Sequence, residues 1–222
     1  MKLCGSMKKR VVVPYIPLLD TMPAEQLRET LAERGAAVAV DSHNWAAEYP
    51  YAPTVTARIG YSNHSLAVMF DVAESHTKAV EMSDNGAVWE DSCVEFFVAN
   101  PVGEGYYNFE MNAAKTLLAA FRLSRNCATH FDSKQLGSVK RYGSFEHEVI
   151  DIKQPCEWWV AEVIPFTLIG LNSAPKSLNA NLYKCGDKLA APHFMSWSPI
   201  ALDKPNFHCP EFFGTLIFEE YE

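Results

Sequence analysis

The fold is decided by two stretches, Cys93-Val94-Glu95-Phe96-Phe97-Val98 and Tyr106-Tyr107-Asn108-Phe109-Glu110-Met111-Asn112. In the second, apolar residues alternate with polar ones, and a period of two is typical of a β-strand with one buried face. That strand would present Asn108, Glu110 and Asn112 together on its polar face. The first stretch is apolar apart from Glu95, whose carboxylate must be solvated, paired or bound to a ligand, because burying it unpaired is costly.

The same kind of pattern continues over most of the chain. After about residue 37, short β-branched and aromatic runs are separated by Gly, Pro, Asn, Asp and Ser, which is typical of an all-β sandwich or barrel. About ten strands are predicted, near residues 54–61, 65–72, 93–99, 106–113, 116–123, 138–142, 146–152, 157–165, 177–185 and 214–219.

One short helix is predicted before the strands. Pro23 precedes the segment 24–34, acids lie early in it, Arg34 lies late and Gly35 follows as a stop signal. We therefore expect residues 1–36 to form an N-terminal extension with a short helix and residues 37–222 to form the sandwich, as one domain overall.

Composition excludes several classes of protein. The 222 residues are 48% apolar, which rules out a disordered chain. The 27 acids and 19 bases give a net charge of −8, which disfavours nucleic acid as a partner. No apolar stretch reaches the roughly 20 residues of a membrane span, and the first residues lack the apolar region of a secretory signal. The compartment stays open, because a leader could have been removed, and the oligomeric state is not predicted.

Motifs for catalysis and metal binding are mostly missing. The sequence has no GxSxG, GxxxxGK[ST] or HExxH, and its six cysteines are too sparse for a disulfide scaffold, so free thiols are expected. Cys185, His193, His208 and Cys209 are zinc ligands by type, but their spacing matches no zinc template. The turn 83–86 offers oxygens for calcium, although such turns commonly hold no metal.

The tryptophans and the polar residues near them suggest a sugar platform. Trp45, Trp89 and Trp197 stand beside polar residues, and Trp89 is followed by Asp91, Glu95, the polar stripe and Arg122. A sugar needs aromatic planes for its C–H face and carboxylates, amides or arginine for its hydroxyls. The alternative is that these tryptophans pack in the core.

Several segments then resemble carbohydrate-binding module family 9 and its relatives in the DOMON-like superfamily. Residues 88–98 are similar to the family's "W-x-D-S-x-E-hydrophobic" strand, residues 106–113 to "Y-x-F-x-x-N-A", and residues 159–166 to "W-x-x-E-x-x-I-P". Residues 181–187, 196–199 and 212–214 resemble the C-terminal half. The similarity spans roughly Trp45 to Phe218.

The resemblance implies a jelly-roll-like β-sandwich that binds carbohydrate without catalysis, in carbohydrate catabolism. A mono- or oligosaccharide would stack between Trp89 and Trp197, with Glu95 as the hydroxyl acceptor. Asp91, Asn112 and Arg122 complete the predicted set of binding residues. No cofactor is required, and structural calcium is possible in such a domain.

Three alternatives remain open. A glycoside-active enzyme could use Glu95 and Glu110 if they lie on neighbouring strands. A ligand-free interaction domain would hold all its tryptophans in the core. Other DOMON-like proteins hold haem, for which Met111 or Met195 could serve as axial ligand, although nothing nearby in the sequence supports it.

Overall fold

A computed structural model describes residues 8–220, which form fifteen strands and two α-helices. The helices are α1 (Ala24–Arg34) and α2 (Ser133–Ser138). The strands are β1 (Arg10–Val13), β2 (Ala36–Ala39), β3 (Thr54–Tyr61), β4 (Ser65–Glu74), β5 (Thr77–Ala79), β6 (Cys93–Ala99), β7 (Tyr106–Asn112), β8 (Leu117–Ser124), β9 (Cys127–His130), β10 (Lys140–Gly143), β11 (Ile150–Ile152), β12 (Cys156–Pro165), β13 (Ser177–Cys185), β14 (Phe194–Ser196) and β15 (Gly214–Phe218).

Two sheets pack face to face. The larger has the order β1-β15-β13-β6-β7-β8-β9, with β14 added beside β13, and the smaller has the order β10-β12-β4-β3-β2. A separate ribbon pairs β5 with β11. Strand β1 runs parallel to β15, whereas the neighbours within the rest of both sheets are antiparallel. This arrangement confirms the predicted all-β sandwich.

The main core lies between the two sheets. From the larger sheet it takes the alternate residues Val94, Phe96 and Val98 of β6 and their neighbours Phe109 and Met111 of β7. Because side chains alternate along a strand, the residues between them point to the other face of the sheet. The predicted alternation along β7 is therefore observed.

The outer face of the larger sheet carries a second cluster. Cys93 and Phe97 of β6 join Tyr183 of β13 there, beneath residues 200–213 and Trp45. Register places Glu95 and Glu110 on this same face, since Glu95 pairs directly with Glu110 and with Tyr183. The polar stripe predicted from the sequence thus lies under a layer of loops, outside the main core.

The helix α1 covers the outer face of the smaller sheet. Its bounds match the predicted segment, and Leu27 and Leu31 pack against Trp159 and its neighbours. The guanidinium of Arg28 lies 5.1 Å from the centre of the Trp159 ring. A cation over an aromatic face adds a modest attraction to this contact.

The N-terminal segment differs from the predicted extension. Residues Arg10–Val13 form an edge strand of the larger sheet, with Val13 buried in the main core. A four-residue strand beside β15 gives too short an alternation to detect from the sequence. The short strands β2, β5, β9 and β14 also lie outside the ten predicted segments.

The structure also bears on the cysteines and on membrane insertion. In residues 8–220 the cysteines are free thiols, whereas Cys4 lies outside the described residues.

Neither helix in this part of the chain has the length and apolar character that a membrane crossing requires.

Candidate functional site

A cavity of about 260 Å³ opens on the outer face of the larger sheet. Its floor comes from four neighbouring strands, through Glu95 of β6, Glu110 of β7, Arg122 of β8 and Cys185 of β13. The walls are Trp89, Arg125, Asn126, Asp187, Phe194 of β14 and the segment 205–208. The sheet thus carries Glu95, Glu110 and Arg122, and mostly loop residues shape the opening above them.

The two glutamates of the floor form a cross-strand pair. Glu95 and Glu110 are register partners, and directly opposed residues hold their Cβ atoms about 4.5–5.5 Å apart. Each residue is only 4% exposed. Burial raises the pKa of Glu95 well above its usual range, with the charges of Cys185 and Glu110 adding to the effect. The Glu95 carboxyl therefore holds its proton more tightly than an exposed glutamate does.

The second glutamate is held by a polar chain. Asn108 Nδ2 donates to Glu110 Oε1 at 2.9 Å, and Arg122 Nε donates to Asn108 Oδ1 at 2.8 Å. Burial raises the pKa of Glu110 to about 7, against the opposing effects of Arg122 and Asn108. The carboxyl of Glu110 can therefore both donate and accept hydrogen bonds at neutral pH.

Trp89 forms the exposed aromatic surface of the cavity. It lies on a 3-10 turn, Val88–Glu90, and is 37% exposed. The loop after β13 fixes this turn, because the Asp187 N–H donates to the Trp89 carbonyl at 3.1 Å and Lys188 Nζ lies 2.7 Å from Glu90 Oε1. The indole is thus presented to the cavity on a backbone held from two sides.

Two further rings line the cavity. Phe207 stacks on Tyr183 with centroids 4.2 Å apart and an interplanar angle of 8°, and the Tyr183 hydroxyl donates to the Phe207 carbonyl. Phe194 packs edge-on against Tyr49 and Trp45. Aromatic side chains are therefore available besides Trp89, although their rings are mostly occupied by these contacts.

Titratable groups at the cavity wall are also perturbed. Burial raises the pKa of Asp187 to about 6, with the nearby charge of Glu90 adding to it. Burial lowers the pKa of His208 to about 3, with the charges of Arg122 and Arg125 adding to it. His208 Nδ1 lies 2.9 Å from the Tyr106 hydroxyl. The wall therefore combines a neutral imidazole with a carboxylate and two guanidinium groups.

Asp91 and Asn112 lie beside the site and hold its framework. Asp91 Oδ2 accepts hydrogen bonds from the backbone N–H groups of Val80 and Glu81 and from Asn112 Nδ2, at 2.9–3.0 Å. Asn112 Oδ1 in turn accepts from the N–H groups of two residues in the β7–β8 turn. Neither residue lines the cavity. Through these hydrogen bonds, Asp91 and Asn112 hold the neighbouring loops in place.

Trp197 does not reach the cavity. It is 2% exposed and packs in the main core, where a Cβ added at Gly214 would lie 2.7 Å from its ring. The neighbouring polar residues Ser196 and Ser198 are buried as well. Hydrogen bonds inside the protein make this possible, since Ser196 Oγ donates to the Ser198 carbonyl and the Ser198 N–H donates to Asn181 Oδ1. Polar neighbours therefore did not mark a solvent-facing tryptophan here, and the expected pairing of Trp197 with Trp89 does not occur at this cavity.

Several of the residues considered above as metal ligands by their type are engaged in other contacts. Asp84 in the turn 83–86 accepts from the Leu117 N–H and forms two hydrogen bonds with Arg141, so a guanidinium already faces its carboxylate. His193 lies 2.9 Å from Lys184 Nζ, and Lys184 is paired with Glu74 in the interior. The haem candidates Met111 and Met195 are both buried in the main core.

Sequence reasoning identified part of this site. Trp89, Glu95 and Arg122 line one cavity as expected, whereas Asp91, Asn112 and Trp197 do not. Glu110 was detectable, because it shares a face with Asn108 and Asn112 in an alternating strand. No periodic pattern could have identified the other lining residues, which are Arg125, Asn126, Asp187 and 205–208 in loops and Phe194 on the three-residue strand β14.

The chain is similar in sequence and in fold to known carbohydrate-binding proteins. The sequence profile of carbohydrate-binding family 9 matches residues 25–218. A Bacteroides uniformis structure, described as a candidate carbohydrate-binding protein, is 38% identical with a TM-score of 0.89, and the match covers 96% of this chain and 100% of that one. Comparison with curated proteins gave no match.

Two more distant structures share the fold. Both are of a carbohydrate-binding module family 9 from Caldicellulosiruptor kristjanssonii, one in complex with glucose and one with cellotriose. Each is 11% identical to this chain with a TM-score of 0.59, and the match covers 96% of this chain and 97% or 95% of theirs. At this identity, the likeness concerns the fold alone.

Proposed function

The chain belongs to carbohydrate-binding family 9, a family of non-catalytic binding modules, and on this basis we propose that its outer-face cavity binds a carbohydrate. The ligand is a monosaccharide or the end of a short oligosaccharide, bound as part of carbohydrate catabolism. The observation that carries the proposal is the joint presentation of Trp89, Glu95, Glu110 and Arg122 in one cavity.

The chemistry of the lining supports a sugar over other small ligands. A sugar ring has a C–H face that packs on an indole, and hydroxyls that both donate and accept hydrogen bonds. Trp89 offers the apolar plane, Glu95 and Glu110 offer carboxyl oxygens, and Arg122 offers N–H donors. A wholly apolar ligand would leave these buried polar groups unpaired, which costs about 1–3 kcal/mol for each group.

The size of the cavity supports a small ligand. Its 260 Å³ lies just under the range of about 300–1,000 Å³ that is usual for ligand pockets. One or two sugar units fit this space better than a long polysaccharide chain. In this proposal Trp89 stacks on the ring alone, with Phe194 and Phe207 as secondary apolar contacts.

The test is a titration of the purified protein with glucose, xylose, cellobiose, xylobiose and the reduced alditols. Tryptophan fluorescence and calorimetry follow binding, while chromatography of the same samples follows product release. We expect saturable binding with no hydrolysis. If no sugar in a broad panel causes a response, the proposal is refuted. Hydrolysis by the wild type that is lost in Glu95→Gln or Glu110→Gln would favour the enzyme alternative instead.

Two variants and a matched control locate the binding. Glu95→Gln should weaken affinity about 2–10-fold, since a hydrogen bond between uncharged groups contributes about 0.5–1.5 kcal/mol. Trp89→Ala should weaken it at least about tenfold through lost stacking. Glu157→Gln replaces an exposed acid on the opposite sheet and should leave affinity unchanged.

A further inference from the structure

Two thiols and a carboxylate meet at the floor of the cavity. Cys93 of β6 and Cys185 of β13 are register partners, and Glu95 follows on the same face of β6. The ligand atoms of all three lie within 4.8 Å of one another, and Cys185 Sγ donates to Glu95 Oε1 at 3.1 Å. Among residues 8–220, no other set of three His, Cys, Asp or Glu side chains meets this spacing.

We propose that Cys93, Cys185 and Glu95 form a binding site for a thiophilic divalent metal ion, with Zn²⁺ as the ion it takes. Zinc binds thiolate sulfur at about 2.3 Å and carboxylate oxygen at about 2.0–2.2 Å in tetrahedral geometry. This geometry separates two sulfurs by about 3.8 Å, and a sulfur from an oxygen by about 3.6 Å. The observed spacing accommodates such an ion with side-chain adjustments of less than about 1 Å.

The donor set selects the class of metal. Two thiolates are soft ligands, which favour zinc and related ions, whereas calcium takes six to eight oxygens. The site therefore differs in kind from the structural calcium expected for a domain of this type. Deprotonated thiols and the carboxylate together carry three negative charges, so a divalent ion neutralises most of the charge that burial would otherwise penalise.

The strands hold the ligands without further folding. Cys93 and Cys185 sit directly opposite each other in two hydrogen-bonded central strands of the larger sheet, and all three residues are buried. Glu95 and Cys185 both line the cavity, so the fourth position of a tetrahedral ion faces the cavity. A water molecule or another oxygen ligand can complete the site from that side.

The metal site does not require the proposed sugar binding, although it shares Glu95 with it. Metal binding is therefore measured without sugar, and sugar binding is measured separately in the presence of a chelator. Sugar binding that persists in chelator, together with no metal binding, would refute the metal site alone. Metal binding without any sugar response would refute the proposed function alone.

The experiment uses the full chain, reduced and free of any polyhistidine tag. It is titrated with Co²⁺, whose thiolate charge-transfer and visible bands report tetrahedral sulfur ligation, and the bound cobalt is then displaced with Zn²⁺. We expect one equivalent to bind. Cys93→Ser and Cys185→Ser should each lower the affinity for cobalt at least about 100-fold. Loss of a residue that only supports a metal ligand costs up to about 100-fold, so loss of a ligand itself should cost at least as much. Cys209→Ser removes a buried free thiol outside the cluster and should bind cobalt like the wild type.

Glu95→Gln keeps both thiols and provides a second test if a cysteine variant fails to fold. It should retain the charge-transfer band with weakened affinity. The wild type itself should gain thermal stability with zinc, because a ligand that binds only the folded state raises the melting temperature. No cobalt band, or a band that forms with wild-type affinity in folded Cys93→Ser and Cys185→Ser, would overturn the proposal, as would loss of the band in Cys209→Ser alone.

Discussion

Trp197→Ala should mainly lower the stability of the fold, whereas Trp89→Ala should mainly lower the affinity for sugar. Trp197 is 2% exposed in the main core, so Trp197→Ala removes a full aromatic ring and leaves a cavity. Such truncations cost about 3–5 kcal/mol. In a domain of this size, 1 kcal/mol shifts the melting temperature by about 2–4 °C, so the expected fall is about 6–20 °C.

Trp89→Ala should destabilise the fold much less. Trp89 is 37% exposed and opens to the cavity, so its removal leaves a space that water can enter. Scaling the burial free energy of a large side chain by its buried share gives about 1–2 kcal/mol. Sugar affinity should instead fall at least about tenfold, whereas Trp197→Ala should bind sugar within about threefold of the wild type below its melting temperature.

Differential scanning calorimetry gives the stabilities, and sugar titrations at a temperature where both variants are folded give the affinities. Near-ultraviolet circular dichroism checks that each variant keeps its tertiary packing. The reasoning is refuted if Trp197→Ala melts like the wild type and loses sugar binding. That outcome would restore Trp197 as a stacking partner of Trp89, as the sequence suggested.

Three further predictions concern the framework of the fold. Glu162 is buried, burial raises its pKa to about 8, and its Oε2 has no hydrogen-bond partner among the described residues. The pKa of Glu162 in the unfolded chain is about 4.5, so between about pH 4.5 and pH 8 the folded protein holds a proton that the unfolded chain has lost. The free energy of unfolding of the wild type should therefore fall by about 1.4 kcal/mol per pH unit over this range because of Glu162. Glu162→Gln should lack this fall, so in urea unfolding the stability of the variant relative to the wild type should increase between about pH 5 and pH 8, and a constant difference would contradict this. Asp91→Ala leaves three donors unsatisfied and should cost about 2–5 kcal/mol in urea unfolding, while a variant as stable as the wild type would show that water replaces the carboxylate. Gly105→Ala places a Cβ 2.5 Å from the Arg122 carbonyl at φ +90°, so calorimetry should show a loss of at least about 1 kcal/mol, and unchanged stability would mean that the hairpin adjusts freely.

Strands were predictable from the sequence because alternation and turn residues are local signals. The predicted segments 54–61, 93–99 and 177–185 match β3, β6 and β13 in full, and the other seven predicted strands are also present with shifted ends. Edge strands of three or four residues, such as β1 and β14, carry too few residues for a period of two to be visible. Their formation depends on a neighbour supplied by distant parts of the chain.

Some residues of the cavity were predictable from the local sequence. Glu95 stands out as a carboxylate in an otherwise apolar strand, and Trp89 and Arg122 were predicted from their residue types and their order along the chain. Asp91 has the right residue type, but its oxygen is engaged by backbone N–H groups that only the folded loop brings near it. Trp197 lies away from the cavity, and its polar neighbours form hydrogen bonds inside the protein instead of facing solvent.

The polar stripe of β7 shows how cross-strand partners divide one face into different roles. Asn112 lies opposite Cys93 at the strand end and holds the adjoining loops, whereas Asn108 lies opposite Phe97 and orients Arg122. Glu110 alone lies opposite another carboxyl, that of Glu95. Directly opposed like charges destabilise a sheet, and burial increases the cost, so both groups hold protons more tightly than usual.

This pairing connects stability to binding. The two carboxyls lower the stability of the free protein unless at least one stays protonated, and a ligand that donates hydrogen bonds or positive charge to them offsets that cost. A sugar and a metal ion relieve it by different means, the first through hydroxyl donors and the second by replacing protons on Glu95 and the thiols. In both proposals, therefore, relief of the unfavourable interaction between the two carboxyls at the cavity floor contributes to the free energy of binding.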